Sequence, residues 1–380
     1  MAKKARAHEK QTLEIQESRV TALELFFDLV FVFTLTQLSA RLHESLSWES
    51  LFQSFLTFII LFWMYGGYVW LTNSVSPVTP VRQLLLIAGM AAFLICALAI
   101  PHDFDDTGVI FGIGYLIVIM VHGFMYMQAV GWKAGRFVPL NFASVAFVIA
   151  AGLMDGFTQY LLWILAILCH VVTSVLSAGI RFGIQVNHFV ERHGLLLLVA
   201  LGESIIAIGA GILELSLQFI LAAVMGLILT AALWWIYFAR DEERARDTMH
   251  ARTTSARLRQ ALGAYFYAFI PMLFGIILMA TGIESSIEHL TEQFDSAHSF
   301  AFGGGVALYL LGTMIFRIAS GIPQVAYRSV AAVFAVLTGL LGSNLSAGIQ
   351  FVGLILIVIG LVLAESNWSF AAQNTKATST

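Results

Sequence analysis

Apolar runs of about twenty residues recur along this 380-residue chain, and that repetition restricts what it can fold into. A helix of that length crosses the roughly 30 Å of hydrocarbon in a bilayer. Inside lipid only helices and closed barrels satisfy their own backbone hydrogen bonds. Twelve helical spans are expected, at 20–40, 50–72, 82–100, 108–130, 137–154, 157–181, 193–213, 216–239, 261–282, 299–319, 325–342 and 346–364. Composition agrees, with 59% hydrophobic and 11% charged residues; a soluble domain has about 45–50% and 25%. The expected fold class is all-α, a polytopic membrane bundle of about 12 transmembrane helices. Cys96 and Cys169 both fall within apolar runs and read as small core residues, with no disulfide framework.

The start of the chain imitates a signal peptide, with a basic "MAKKARAHEK" ahead of an apolar "LFFDLVFVFTLTQL". Glu24 and Asp28 interrupt the apolar part, so a retained first helix is expected. Placing the N-terminus in the cytoplasm and alternating the connections puts every Lys and Arg except Arg41 on the inner side. The positive-inside rule therefore supports both the span count and the orientation, with N- and C-termini cytoplasmic. The outer connections are acidic, with Asp103, Asp105 and Asp106 in one and Glu284, Glu288, Glu292 and Asp295 in another.

Four weak matches in the same order suggest an internal repeat. "RVTALELFFDLVFVF" parallels "RHGLLLLVALGESIIAIG", "ILFWMY" parallels "ALWWIY", "VRQLL" parallels "LRQAL", and "FGIG" parallels "FGGG". Recurrent aromatic ends and glycine clusters of any membrane protein are the plainer explanation. Two six-helix halves would be parallel repeats, because six is even. The expected organisation is a cytoplasmic segment at 1–19, a first six-helix half at 20–181, helices seven and eight at 182–239, a cytoplasmic Arg-rich loop at 240–260, the rest of the second half at 261–364, and a cytoplasmic tail at 365–380. Asp28 and Glu203 then occupy corresponding places.

Two of these stretches, "RVTALELFFDLVFVFTLTQLS" and "HFVERHGLLLLVALGESIIAIG", resemble signatures of the bacterial low temperature requirement A proteins. "ALWWIYF" and "YFYAFIPMLFGIILMATGIE" resemble further stretches of that family, so the likeness spans most of the chain. The resemblance implies a multi-helix inner-membrane protein linked to growth in the cold, without a settled activity or substrate. In the ninth span the family pattern carries a histidine two residues before the proline; this chain has Phe269 before Pro271. No role of that histidine carries over.

The chemistry must come from polar residues inside the spans, which are costly there and functional by default. Glu24 and Asp28 are four apart and share a helix face, and two carboxylates so close in a low dielectric do not both ionise readily. Reversible protonation or cation binding fits them. The plainer reading pairs Glu24 with Arg19, Arg192 or another inner-surface arginine. Glu203 lies about ten residues deep in its span, with Ala200, Ser204 and Ala207 on its face, so it should meet protein instead of lipid. His122 and His170 are candidate proton-relay members, although a lone helix histidine is more often a structural partner. His188, Glu191 and Arg192 cluster with Arg19 at the inner mouth as ion pairs or a gate.

Enzyme signatures are thin. "HFVERH" lacks the i, i+4 histidine pair of a zinc helix, and there is no G-x-S-x-G elbow, phosphate loop or spaced Cys pair. No catalytic residue, cofactor or resident metal is expected, and an enzyme is the less favoured class. "RDEERARD" alternates sign, so the Arg-rich loop reads as a solvated helix beside anionic lipid and not as a nucleic-acid site. The expected partners are the lipid bilayer, a proton or small cation, and a small solute or ion; a homodimer stays open. The favoured function is a secondary transporter coupled to protons or cations through the buried carboxylates. An ion channel using the same acids is one alternative. A membrane enzyme or envelope-assembly factor acting on lipid or a lipid-linked substrate is another.

Overall fold

The computed structural model describes residues 20–131, 138–177, 183–210, 216–288 and 290–377. All regular structure among these residues is helical: α1 Ala22–Glu44, α2 Trp48–Ser74, α3 Pro80–Ala99, α4 Gly108–Val130, α5 Val138–Ala151, α6 Gly156–Ser177, α7 Val186–Ala210, α8 Leu217–Phe238, α9 Asp241–Ala251, α10 Thr254–Leu262, α11 Phe269–Glu288, α12 Ser296–Ser320, α13 Ala326–Leu337, α14 Gly339–Asn344 and α15 Ala347–Ala377. Eleven helical stretches among the described residues are long and apolar enough to cross a membrane. The expected span at 137–154 is the exception: α5 has 14 residues, about 21 Å at 1.5 Å each.

Two expected boundaries move for identifiable reasons. The ninth span begins earlier than residue 261, because α10 runs into α11 through a π-turn at Gly263–Tyr267. Pro271 has no N–H for the carbonyl four residues back, and the wider turn, with Ala268 N–H donating to Gly263 at 3.1 Å, lies just ahead of it. The Arg-rich segment 240–260 folds as α9 and the start of α10, and it is solvated on one side only. Asp241, Ala245, Met249 and Gln260 are buried.

The chain divides into two compact units, and the division passes through α1, α2 and α7. The first unit runs through Gln37 and resumes at Gln53–Leu196; the second takes Leu38–Phe52 and everything from Leu197. In the first unit α3, α4, α5 and α6 pack as sequential neighbours. Gly108 lets α4 approach so closely that a Cβ there would lie 2.7 Å from Cα of Gly152. The core of this unit is aromatic. Phe27 and Phe31 of α1 pack against Tyr65 and Tyr68 of α2 and Phe93 of α3, with ring centroids 4.2–6.1 Å apart.

In the second unit α11 and α12 form the tightest pair. A Cβ on Gly275 would lie 2.6 Å from the Gly305 carbonyl, so any larger residue would force the helices apart. Small residues do this work in membrane bundles because lipid offers no hydrophobic drive to bring helices together. Asp295 caps α12 by accepting from the N–H groups of Ala297 and His298. Outward faces in both units carry large apolar side chains, such as Phe26, Leu29, Ile110, Leu227 and Leu356.

Candidate functional site: a buried carboxylate cluster

The first unit buries two carboxylates and one guanidinium in contact. Helical spacing puts Glu24, Phe27, Asp28 and Phe31 on one face of α1, and all four are at most 1% exposed; Phe26 and Leu29, on the other face, are 53% exposed. The polar face of α1 is therefore the inner one. Arg192 of α7 reaches it and is wholly buried, with Nη1 donating to Glu24 Oε1 at 3.1 Å and Nη2 donating to Asp28 Oδ1 at 3.0 Å. Its Nε donates to both Asp28 oxygens at 3.3 Å, Nη1 also donates to the Thr72 hydroxyl, and its Cζ stands 5.8 Å over the Phe27 ring.

The acceptors are unevenly filled. Glu24 closes a capping box with Thr21: its carboxylate accepts from the Thr21 N–H at 3.0 Å and the Thr21 hydroxyl at 2.9 Å. In return Thr21 Oγ1 accepts from the Glu24 N–H at 3.3 Å. The same carboxylate faces His188 Nε2 at 3.2 Å. On Asp28, Oδ1 accepts from the Tyr65 hydroxyl at 2.9 Å as well as from Arg192, whereas among the described residues Oδ2 takes only the 3.3 Å contact from Nε.

The protonation of His188 follows from its neighbour. The Gln185 backbone holds the Asn73 amide at both ends, its N–H donating to Oδ1 at 3.1 Å and its carbonyl accepting from Nδ2 at 3.1 Å. The Asn73 group facing His188 Nδ1 at 3.1 Å is therefore the donor Nδ2. Nδ1 accepts, so the ring carries its hydrogen on Nε2 toward Glu24 and is neutral in this arrangement. The cluster then holds two carboxylates against one guanidinium.

The structure brings four of the expected site residues together: Glu24, Asp28, His188 and Arg192. Arg19 lies outside the described residues. Glu191 is half-buried on α7. Glu203 lies about three turns beyond Arg192 on α7 and belongs to the second unit. It is 3% exposed, on a face where Ala200, Ser204 and Ala207 are also buried, while Leu198 and Ile206 of the same helix are exposed. His170 sits in the first unit with Tyr115 and with Ser144 Oγ at 3.0 Å, and its ring stacks on Trp63. His122 packs on Tyr68 and Tyr126. Tyr65, Thr72 and Asn73 belong to the cluster and were not foreseen.

A second ionic cluster, in the second unit, was also missed. Arg317 of α12 grips Asp241 of α9 with two donors at 2.8 and 2.9 Å, and Glu365 of α15 with two more at 2.8 and 2.7 Å. Arg328 of α13 reaches the same acids, Asp241 at 2.8 Å and Glu365 at 3.0 Å. Arg317 and Arg328 are 4% and 0% exposed. They had served only as inner-side charges in the topology count.

Eleven membrane-length helices that bury paired charges and turn apolar faces outward define a polytopic membrane protein. The bacterial low temperature requirement A protein (LtrA) family matches residues 19–364, nearly the whole chain, and the protein belongs to that family. It is similar to an uncharacterized protein of Rhizobium meliloti (strain 1021), with 28% identity over 323 residues, which cover 78% of this chain and 77% of the relative.

Proposed function

We propose that this is a secondary transporter of the bacterial inner membrane, N-terminus inside, that couples movement of a small solute or ion to a proton or cation held at the Glu24–Asp28–Arg192 cluster. One observation carries the reading: among the described residues, two carboxylates are buried in contact with a single guanidinium, beside a histidine whose Nδ1 accepts from Asn73. An uncompensated charge inside a bilayer is costly, so a second positive charge completes the cluster. Asp28 Oδ2, whose one contact among the described residues is the long one from Arg192 Nε, is the place assigned to that proton or cation. Glu24 is already filled by its cap, His188 and Arg192. Glu203, buried in the second unit, is a further candidate acid.

The test has two arms. Infrared titration of the purified protein should show a protonated-carboxyl band that vanishes in Asp28→Asn and survives in Glu24→Gln. In liposomes loaded with a pH dye, a potassium diffusion potential should drive proton uptake that Asp28→Asn and Glu203→Gln abolish. A band indifferent to Asp28, or fluxes unchanged in both variants, would overturn the proposal. Currents far above about 10³ ions per second, faster than a cycle limited by domain motion, would assign the same acids to a channel.

A further inference from the structure

Beside the second ionic cluster lies a cleft of about 930 Å³, bordered by the end of α8, one face of α9, the turn after α12, and α15. That volume is in the range of small-molecule sites. The α9 wall presents Arg240, Glu243, Arg244 and Asp247 at helical spacings of three and four, so they share the face turned to the cleft. Both arginines and both acids are exposed. Counting arginines alone predicts an anionic neighbour for this segment; inside the cleft each arginine is matched by an acid.

Two further observations mark the cleft as a site. Gln324 lines it with φ 69°, a left-handed backbone that a non-glycine residue adopts only when its surroundings enforce it. Here Arg317 enforces it by donating to the Gln324 carbonyl at 3.0 Å. The Nε2 of Gln324, a residue of the cleft wall, is buried without a hydrogen-bond partner among the described residues. Trp235, 55% exposed at the end of the apolar α8, forms the adjoining wall. An indole in that position marks the boundary between hydrocarbon and water.

The geometry points to a site for one zwitterionic phospholipid. Its phosphodiester would lie on Arg240 and Arg244 within reach of the Gln324 amide, its ammonium on Glu243 and Asp247, and its chains along Trp235. The matched charges favour a headgroup that carries both signs over one that carries only the negative.

Native mass spectrometry of the full chain, supplied with equal phosphatidylethanolamine and phosphatidylglycerol, tests this. Phosphatidylethanolamine should be retained about fivefold more, roughly 1 kcal/mol of preference. Glu243→Gln with Asp247→Asn should erase the preference while lipid is still retained. Arg240→Gln with Arg244→Gln should lower retention of both lipids. All four residues are exposed, so these variants keep the fold. Equal or reversed preference in the unaltered protein would overturn the proposal, as would a preference that survives loss of both acids. Displacement of the lipid by an equimolar amount of soluble glycerophosphoethanolamine would overturn the lipid assignment.

Discussion

Among the described residues the two ionic clusters differ by one charge, and in the proposed function that difference separates a working site from a structural tie. In the second unit two arginines meet two carboxylates, and each acid is gripped by both arginines. The cluster is neutral by itself and joins α9, α12, α13 and α15. In the first unit, among the described residues, a single arginine meets two carboxylates, and the other described partners, Tyr65, Thr72 and Asn73-held His188, bring dipoles and no charge. A neutral knot has nothing to exchange. On the proposed function, a knot one positive charge short takes that charge from elsewhere and gives it back.

Amide substitutions should break or sharpen this contrast most strongly. Asp241→Asn leaves two buried guanidiniums with one carboxylate and should cost about 3–5 kcal/mol, the usual penalty for an orphaned buried charge. Asp28→Asn brings the first cluster to balance and should change stability by less than about 1 kcal/mol. Thermal unfolding in detergent compares the two directly, and equal losses would remove the distinction. Arg192→Met, which takes the guanidinium from both acids, should be as damaging as Asp241→Asn.

Arg328→Met turns the second cluster into a copy of the first, with two acids on one arginine. A loss of about 3 kcal/mol is expected near neutral pH. Part of it should return as the pH is lowered, because a bound proton replaces the missing charge. The unaltered second cluster should show no such recovery. A flat profile in Arg328→Met would mean that charge balance does not govern these sites.

Tyr65→Phe removes one donor from Asp28 Oδ1. A hydrogen bond to an ionised acceptor is worth about 1.5–3 kcal/mol and one to a neutral acceptor about 0.5–1.5. The proposal expects the smaller figure, from unfolding of the variant beside the unaltered protein. The smallest effect belongs to Asp295→Ala, which removes the cap of α12 at a cost of about 1 kcal/mol. Partial burial would raise the pKa of Asp295, but hydrogen bonds from the His298 ring and from the N–H groups of His298 and Ala297 outweigh it and hold the carboxyl below its usual range. Its contribution is therefore full above the ordinary carboxylate range and fades as pH falls through the lowered value. This cap lies apart from both clusters, so it calibrates them.

Much of the fold was legible because membrane spans are written in local composition. The twelve expected runs correspond to helices, and the shortfall at α5 and the early start at α10 concern their ends. The spacing of Glu24 and Asp28 put both on one face of α1, which the structure buries, and the small residues around Glu203 placed it against protein, where it is 3% exposed. Long-range pairing was less legible. Arg192 was named as one of several possible partners for Glu24, but nothing local showed that it also holds Asp28, 164 residues away in sequence. Arg317, Arg328 and Glu365 sit at span ends, where charges ordinarily meet water, and their spacing gives no hint that they converge. One signal was overlooked. Thr21-Ala-Leu-Glu24 ahead of an apolar run has the pattern of a capping box, and it tells that Glu24 is already engaged before any tertiary contact forms.

That double engagement of Glu24 has a mechanical corollary. The carboxylate that anchors Arg192 also pins the opening turn of α1, so neither post can be vacated without disturbing the other. Arg192 holds Oε1 of that carboxylate and Thr21 holds Oε2, so a turn that unwinds and swings the side chain away also slackens the grip on Arg192. Electrical state and helix length at this end of α1 are thus geared together, and a fraying terminus becomes a lever.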